Sequence, residues 1–477
     1  MLFNSVQFVV FLPFVVLLYF SIKPRFRWIL LLGASYYFYM CWKPEYLILI
    51  IISTLVDYYA AIRMGKAEKK SKKKKYLILS LFSNLGLLFG FKYFNFFNDS
   101  VREVFNLFNL MYDVPALKVL LPVGISFYTF QTLSYTIDVY RGERDVEKHL
   151  GIFALYVSFF PQLVAGPIER STHLLPQFKK HNHFNYDNAV EGLKQILWGY
   201  FKKVVVADRA AIYVDAVFNN QEYHSGITFL LATFFFAFQI YCDFSGYSDI
   251  AIGSARMMGY NLMENFKRPY FAKSIREFWQ RWHISLSTWF RDYLYISLGG
   301  SRVVRWRWYY NLFITFLISG LWHGANWTFL IWGGLNGFYL IFSIWTKKLR
   351  AQFLGITRIN KLPVLSQFIK LFTTFILTLI AWVFFRANSI HDAVSILSKI
   401  ARLSGPLYTG DMQFVVYALF GISLLLLIEI KREYFNDKFT LFYHKSYFIR
   451  TASYVTIIVM IILFGVFDGG QFIYFQF

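Results

Sequence analysis

Charge is scarce in this chain, and negative charge scarcer still. Asp, Glu, Lys and Arg make up 16% of its 477 residues, with 27 acidic against 49 basic side chains. Soluble domains carry about 25% charged residues, so a soluble fold of this length lacks the polar cover its surface needs. Cysteine is nearly absent. Cys41 and Cys242 stand in separate apolar segments, in no metal-ligand spacing, and one isolated pair implies no disulfide. There is no Gly-x-x-x-x-Gly-Lys phosphate loop, no Gly-x-Ser-x-Gly elbow, no His-Glu-x-x-His helix and no dinucleotide fingerprint. Self-contained ATP hydrolysis, elbow-type serine catalysis and that zinc chemistry therefore lack their parts. Internal repeats and Pro- or Ser-rich linkers are missing as well, and the longest polar stretch, 169–188, is only loop-sized. The expectation is a single membrane domain over 1–477, with no metal and no nucleic-acid partner.

What is abundant is apolar. The hydrophobic fraction is 57%, the aromatic fraction 22%, and mean hydropathy is +0.43. Such a composition excludes a disordered chain and fits a polytopic membrane protein. A spanning helix needs about 20 mostly apolar residues. The runs that qualify are 6–22, 28–42, 46–62, 76–97, 118–137, 189–207, 227–250, 309–322, 327–346, 365–386, 412–430 and 451–467. They are continuous rather than alternating, which indicates helices and not a barrel. The run 150–168 is interrupted by Pro161, Gly166 and Pro167 and reads as re-entrant, its broken backbone covered by protein. The first run has no basic residue before it and no small-residue cleavage site after it, so the expectation is a retained helix rather than a signal peptide.

The net charge of +22 finds its place in the loops. Segment 63–75 holds eight basic residues and one acid, and 347–361 holds five basic residues and none acidic, whereas 98–117 holds one against three. Basic residues collect in cytoplasmic loops. An external N-terminus with 150–168 re-entrant puts every strongly basic loop inside. The Lys-rich loop has a second reading, a contact for an acidic partner or anionic lipid.

Four segments place polar groups where a bilayer makes them costly. Asp243, Ser245, Ser248 and Asp249 cluster at the end of a span; they either line a cavity or cap and bond neighbouring helices. Over 274–293, helical spacing sets Arg276, Gln280, His283, Ser287 and Arg291 on one face and Trp279, Trp282, Leu286, Phe290 and Tyr293 on the other. That predicts one amphipathic helix, lying in the interface or bordering an aqueous entrance. In Ser319–Thr328, His323 sits among Trp322, Gly320, Gly324 and Asn326 between two apolar runs. Gln162, in the broken run, either bonds freed backbone or touches a ligand.

Taken together these segments resemble the membrane-bound O-acyltransferase (MBOAT) family, nearest its bacterial branch of alginate and other polysaccharide O-acetylation membrane proteins. The stretches that carry the likeness are LFNSVQFVVFLP, LPVGISFYTFQTLSYTIDVYRGE, FPQLVAGPIER, YCDFSGYSDIAIG, NFKRPYFAKSIREFWQRWHISLSTWFRDYLYISLGG, SGLWHGANWTFLIWGGLNG and the final FIYFQF. They run the length of the chain and are densest over 122–346. The resemblance implies an all-α fold with a ring of about 11–12 tilted transmembrane helices around a central tunnel. It implies acetyl transfer from a cytoplasmic donor, acetyl-CoA, to hydroxyls of an extracellular polysaccharide in a bacterial cytoplasmic membrane, shared with a periplasmic SGNH-type partner. No tightly bound cofactor is implied. D-alanyl or longer-chain transfer by the same family is the alternative, and a lipid-linked carrier transporter the more distant one. His323 matches the family's catalytic histidine and His283 its second polar position. Asp243, Ser245, Ser248 and Asp249 match tunnel-lining residues, and Gln162, Trp282, Trp322, Asn326, Arg276 and Arg291 are grouped with them. His323 then acts as general base or carries the acyl group covalently.

Overall fold

The structure is a computed structural model that describes residues 1–164, 166–435, 442–467 and 472–475. Every regular element among the described residues is helical. Among the described residues seven helices are long and apolar enough to cross a membrane: Pro44–Lys66, Lys70–Leu107, Gly226–Met257, Trp327–Trp345, Pro363–Arg386, Met412–Tyr434 and Tyr447–Phe464, with Val6–Ser21 apolar but shorter. The chain packs as two units, Met1–Ile196 with Ile250–Met263, and Leu197–Asp249 with Glu264–Phe477.

The first unit opens with α1 (Val6–Ser21), α2 (Arg27–Met40), α3 (Leu47–Lys66), α4 (Lys70–Leu88) and α5 (Phe94–Leu107). Ser5 starts α1 by accepting the Phe8 N–H on its hydroxyl at 3.2 Å, a contact that satisfies one orphan donor of the first turn. A π-helical turn, Phe89–Tyr93, joins α4 to α5. There follow α6 (Ile125–Arg141), α7 (Leu150–Ser158), α8 (Phe160–Leu163), α9 (Ser171–Phe178) and α10 (Tyr186–Tyr200).

Helices in lipid gain little from hydrophobic association and rely on close packing and polar contacts. Here α3, α4 and α6 share a buried polar cluster. Asp57 of α3 accepts from the Ser80 hydroxyl of α4 at 2.5 Å and, on both oxygens, from the Asn84 amide at 2.9 Å. Ser80 also meets Thr136 of α6 at 3.1 Å, and Ser53 donates to Asn84 at 2.6 Å.

One stretch departs from the sequence expectation and another follows it. The span expected at 118–137 becomes helical only at Ile125. Pro122 holds the residue before it away from the helical region, and Gly124 adopts φ +74° where an added Cβ would meet the Leu163 carbonyl oxygen at 2.8 Å. The run 150–168 breaks as expected, between α7 and α8 at Phe159. There Gln131 and Gln162 both donate to the Tyr156 carbonyl, at 2.5 and 2.8 Å, and the Phe160 N–H reaches the Ser35 hydroxyl at 3.0 Å. These contacts satisfy backbone groups the break releases.

The second unit begins in the last turn of α10 and a π-helical stretch, Phe201–Ala207, then α11 (Asp208–Phe218) and α12 (Gly226–Met257). The expected span 189–207 is thus helical, but its final turns bury Lys202 and Lys203. After α13 (Ile275–Arg281), α14 (Ile284–Trp289) and a π-helical turn, Phe290–Tyr295, come α15 (Arg305–His323), α16 (Trp327–Trp345), α17 (Lys347–Ile356), α18 (Pro363–Arg386), α19 (Ile390–Arg402), α20 (Met412–Tyr434) and α21 (Tyr447–Phe464). The core is aromatic. Trp332 stacks on Trp382 with centroids 5.9 Å apart, and Trp282 lies 5.0 Å from Trp382.

The single amphipathic helix expected over 274–293 is broken in two. Trp282 is extended, and His283 takes a left-handed conformation, φ 43° and ψ 55°. The loop before it causes the break: Lys267 N–H bonds the Arg281 carbonyl at 2.9 Å, and Ile284 N–H bonds the Asn265 carbonyl at 3.0 Å. Helical periodicity therefore stops at residue 281, and His283 no longer shares a face with Arg276 or Arg291.

Candidate active site

The site grows from two helix ends in the second unit. Helix α15 delivers His323 as its last residue, since Gly324 is extended and ends the helix. Its partner α16 approaches backbone to backbone. A Cβ on Gly320 would lie 2.2 Å from the Phe329 carbonyl oxygen, and one on Gly333 would lie 3.1 Å from the Gly320 Cα. Small residues allow that approach, and it fixes the height of His323 against α16. Asn326 caps α16, accepting the Thr328 N–H at 3.0 Å on its side-chain oxygen.

His323 is 2% exposed and caged by rings. Trp322, Trp332 and Phe385 stand edge-on to it at 5.0, 4.8 and 5.4 Å, and Tyr474 lies at 5.6 Å. His283, fully buried, has Phe244 edge-on at 4.6 Å, Trp322 at 6.0 Å and Tyr474 at 6.5 Å. Trp322 and Tyr474 are thus ring neighbours of both imidazoles, and the two histidines share one aromatic wall.

The tautomer of His283 follows from its neighbours. Its Nδ1 lies 3.1 Å from Asn265 Oδ1, which also receives the Ser285 N–H at 3.2 Å and the Ser285 hydroxyl at 3.0 Å. A backbone N–H can only donate, so this Asn265 atom is the acceptor oxygen, and Nδ1 of His283 must carry the proton. In the neutral ring the lone pair then sits on Nε2. A left-handed histidine held by a buried network is the kind of strained backbone that gathers at functional sites.

The remaining candidates divide. Trp282 is buried beside His283, and its indole N–H has no partner among the described residues; the same holds for the Ser245 hydroxyl. Ser248 receives the Asn265 amide at 3.4 Å. Asp243 and Asp249 are ion-paired with Lys203 and Lys202. Gln162 lies in the first unit on the Tyr156 carbonyl. Arg276 and Arg291 are exposed, and Arg291 pairs with Asp292 at 2.7 Å. Sequence reasoning missed Asn265, Lys202, Lys203 and Tyr474. Two adjacent lysines inside an apolar run, and the aromatic FIYF near the end, were the available signals. Of that final stretch, Gln476 and Phe477 lie outside the described residues, as do 436–441 of the basic loop 431–450.

Comparison with known proteins places the chain in a family. The model of the membrane-bound O-acyltransferase family matches residues 40–385. The chain is 43% identical to the probable alginate O-acetylase AlgI of Pseudomonas putida, over 87% of this chain and 81% of that protein. It is 44% identical to the protein of that name from Pseudomonas aeruginosa, over 82% and 73%. It is also 36% identical to a peptidoglycan O-acetyltransferase of Helicobacter pylori, over 85% and 80%. With aromatic-walled histidines on an all-helical, multi-pass membrane scaffold and a family match across most of its length, the chain belongs to the membrane-bound O-acyltransferase family and is an acyltransferase.

Proposed function

We propose that this protein is an O-acetyltransferase of cell-surface polysaccharide. It takes acetyl from a cytoplasmic thioester, acetyl-CoA, and passes it through a transmembrane tunnel toward hydroxyls outside the membrane, directly or through a periplasmic SGNH-type partner. Alginate is the first acceptor to test, because the relatives named above at 43% and 44% identity carry the name probable alginate O-acetylase. The 36% identity to a peptidoglycan O-acetyltransferase supports peptidoglycan as the second. The basic stretches 63–75 and 347–361, which lie between the long apolar runs, support an external N-terminus in a bacterial cytoplasmic membrane.

The observation that carries the reading is the pair of buried imidazoles, His283 and His323, with Trp322 and Tyr474 against both. A thioester is already activated, so the enzyme's task is to make a hydroxyl nucleophilic. His323 removes the hydroxyl proton as the oxygen attacks the thioester carbonyl; the carbon–sulfur bond breaks, and the thiolate leaves and takes up a proton. A positioned general base contributes about 10²–10⁴-fold. The rings around His323 keep water from the thioester. His283, with Nδ1 held by Asn265, directs Nε2 toward the donor or relays the proton. The Trp282 indole N–H and the Ser245 hydroxyl are buried donors suited to a substrate carbonyl.

The test is purified protein in lipid vesicles with labelled acetyl-CoA and alginate. Acetyl ester should form with the unaltered protein and vanish in His323→Ala while expression and melting stay unchanged. Retained ester formation in that variant would remove His323 from the reaction, and movement of label with no ester would identify a transporter.

A further inference from the structure

One buried carboxylate ties the described segment 472–475 to the helices. Asp243 Oδ2 accepts the Ile473 N–H at 2.7 Å, and Oδ1 takes the Lys203 ammonium at 2.5 Å. Lys203 also reaches Asp208 Oδ1 at 2.7 Å and lies over the Tyr247 ring at 5.4 Å. Lys203, Asp243 and Asp208 are 1%, 3% and 5% exposed. Ions buried this deeply recover their lost hydration only if their remaining hydrogen-bonding positions are filled, and the Ile473 N–H fills such a position on Asp243.

The residues flanking Ile473 face the candidate site. Phe472 stacks on Tyr247 with centroids 4.7 Å apart and lies 5.4 Å from Phe244. Tyr474 lies 4.7 Å from Phe244, whose ring is itself against His283, and 5.6 Å from His323. The Ile473–Phe475 turn is a single 3-10 turn, far too short to hold itself in place.

We infer that Asp243, fixed by Lys203 and Asp208, is a positioning residue that docks segment 472–474 as a strap, and that the docked strap completes the wall around His283 and His323. This rests on the acyl-transfer reading for its catalytic consequence, though not for the docking. It moves Asp243 from contact with substrate to control of a chain segment that makes that contact.

Ile473→Pro removes the donor while leaving the charged cluster intact, and proline is tolerated at the first position of a helical turn. Asp243→Asn keeps an acceptor but withdraws the charge. In full-length protein in detergent micelles, both should raise hydrogen–deuterium exchange of a peptide covering 472–475 by about 10-fold or more, the scale of a lost charge-assisted bond. In vesicles with labelled acetyl-CoA and alginate, both should lower kcat with KM for acetyl-CoA little changed. Unaltered exchange in Ile473→Pro, or raised exchange with unaltered kcat, overturns the inference. His323→Ala separates the two ideas: it should abolish ester formation while keeping the strap protected, so ester formation in that variant counts against His323 as the base and leaves the docking standing, and a strap that loosens there counts against Asp243 as its anchor.

Discussion

Asn265 holds His283 by a single oxygen that the Ser285 backbone N–H also uses, 3.1 and 3.2 Å away. One amide therefore sets the protonation pattern of an imidazole eighteen residues on. Asn265→Ala should free the ring to turn and leave a buried Ser285 donor unsatisfied. A lost buried hydrogen bond costs about 1–3 kcal/mol, so kcat should fall about 10–100-fold. Steady-state ester formation checks this; an unchanged kcat would mean that the tautomer is irrelevant.

The two histidines share walls, so their contributions should not add. His323→Ala should cost the full general-base effect, about 10²–10⁴-fold, and His283→Ala less. The double variant should be no slower than His323→Ala within a few-fold, since groups acting as a unit are non-additive. Multiplying losses in ester-formation assays would show that they act independently.

Gly320→Ala puts a methyl 2.2 Å from the Phe329 carbonyl oxygen. Helices α15 and α16 must then part, at a cost of about 1–3 kcal/mol for overpacking. His323 lies three residues on, so activity should drop well beyond what the lost stability explains. Melting in detergent and kcat, read together, check this. An active, less stable variant would show that the site tolerates the shift.

The first turn of α9 and the loop before it supply a pH-dependent element. His173 Nδ1 lies 2.8 Å from Glu169 Oε2. The hydrogen bond to Glu169 raises the His173 pKa above its ordinary value, against a smaller opposing effect of burial. Burial also raises the Glu169 pKa, in opposition to its bonds from His173 and Met263. A raised folded pKa means stability present below the unfolded value and lost as pH rises through the folded one. The His173 contribution is therefore full below about pH 6.5 and fades above it. His173→Gln should flatten the melting profile between about pH 6 and 8; a profile that keeps its slope would place the titration elsewhere.

The helices and the broken run at 150–168 were legible because continuous apolar runs, Pro161 and Gly166 are local signals. His323 was legible as a polar residue in an apolar setting. The break at His283 was not, because periodicity runs smoothly through 276–291 and the break is imposed by Asn265 and Lys267 from a loop upstream. Asp243 and Asp249 were seen, but their partners Lys203 and Lys202 lie 40 and 47 residues away, a pairing that no spacing rule reveals. Tyr474 stood in a quoted motif without a role, since only tertiary packing brings it to both histidines.

The Asp57 cluster has a consequence for how freely the first unit can vary. One amide, Asn84, occupies both Asp57 oxygens and thereby keys α4 to α3 at a single depth. With alignment set by that lock, the outward residues Ile48, Ile52 and Leu55 of α3 and Leu79 and Phe82 of α4 need only be greasy. Natural variants should exchange them widely while the amide–carboxylate pair stays put, and a bilayer of different thickness should tilt the two helices together rather than slide one past the other.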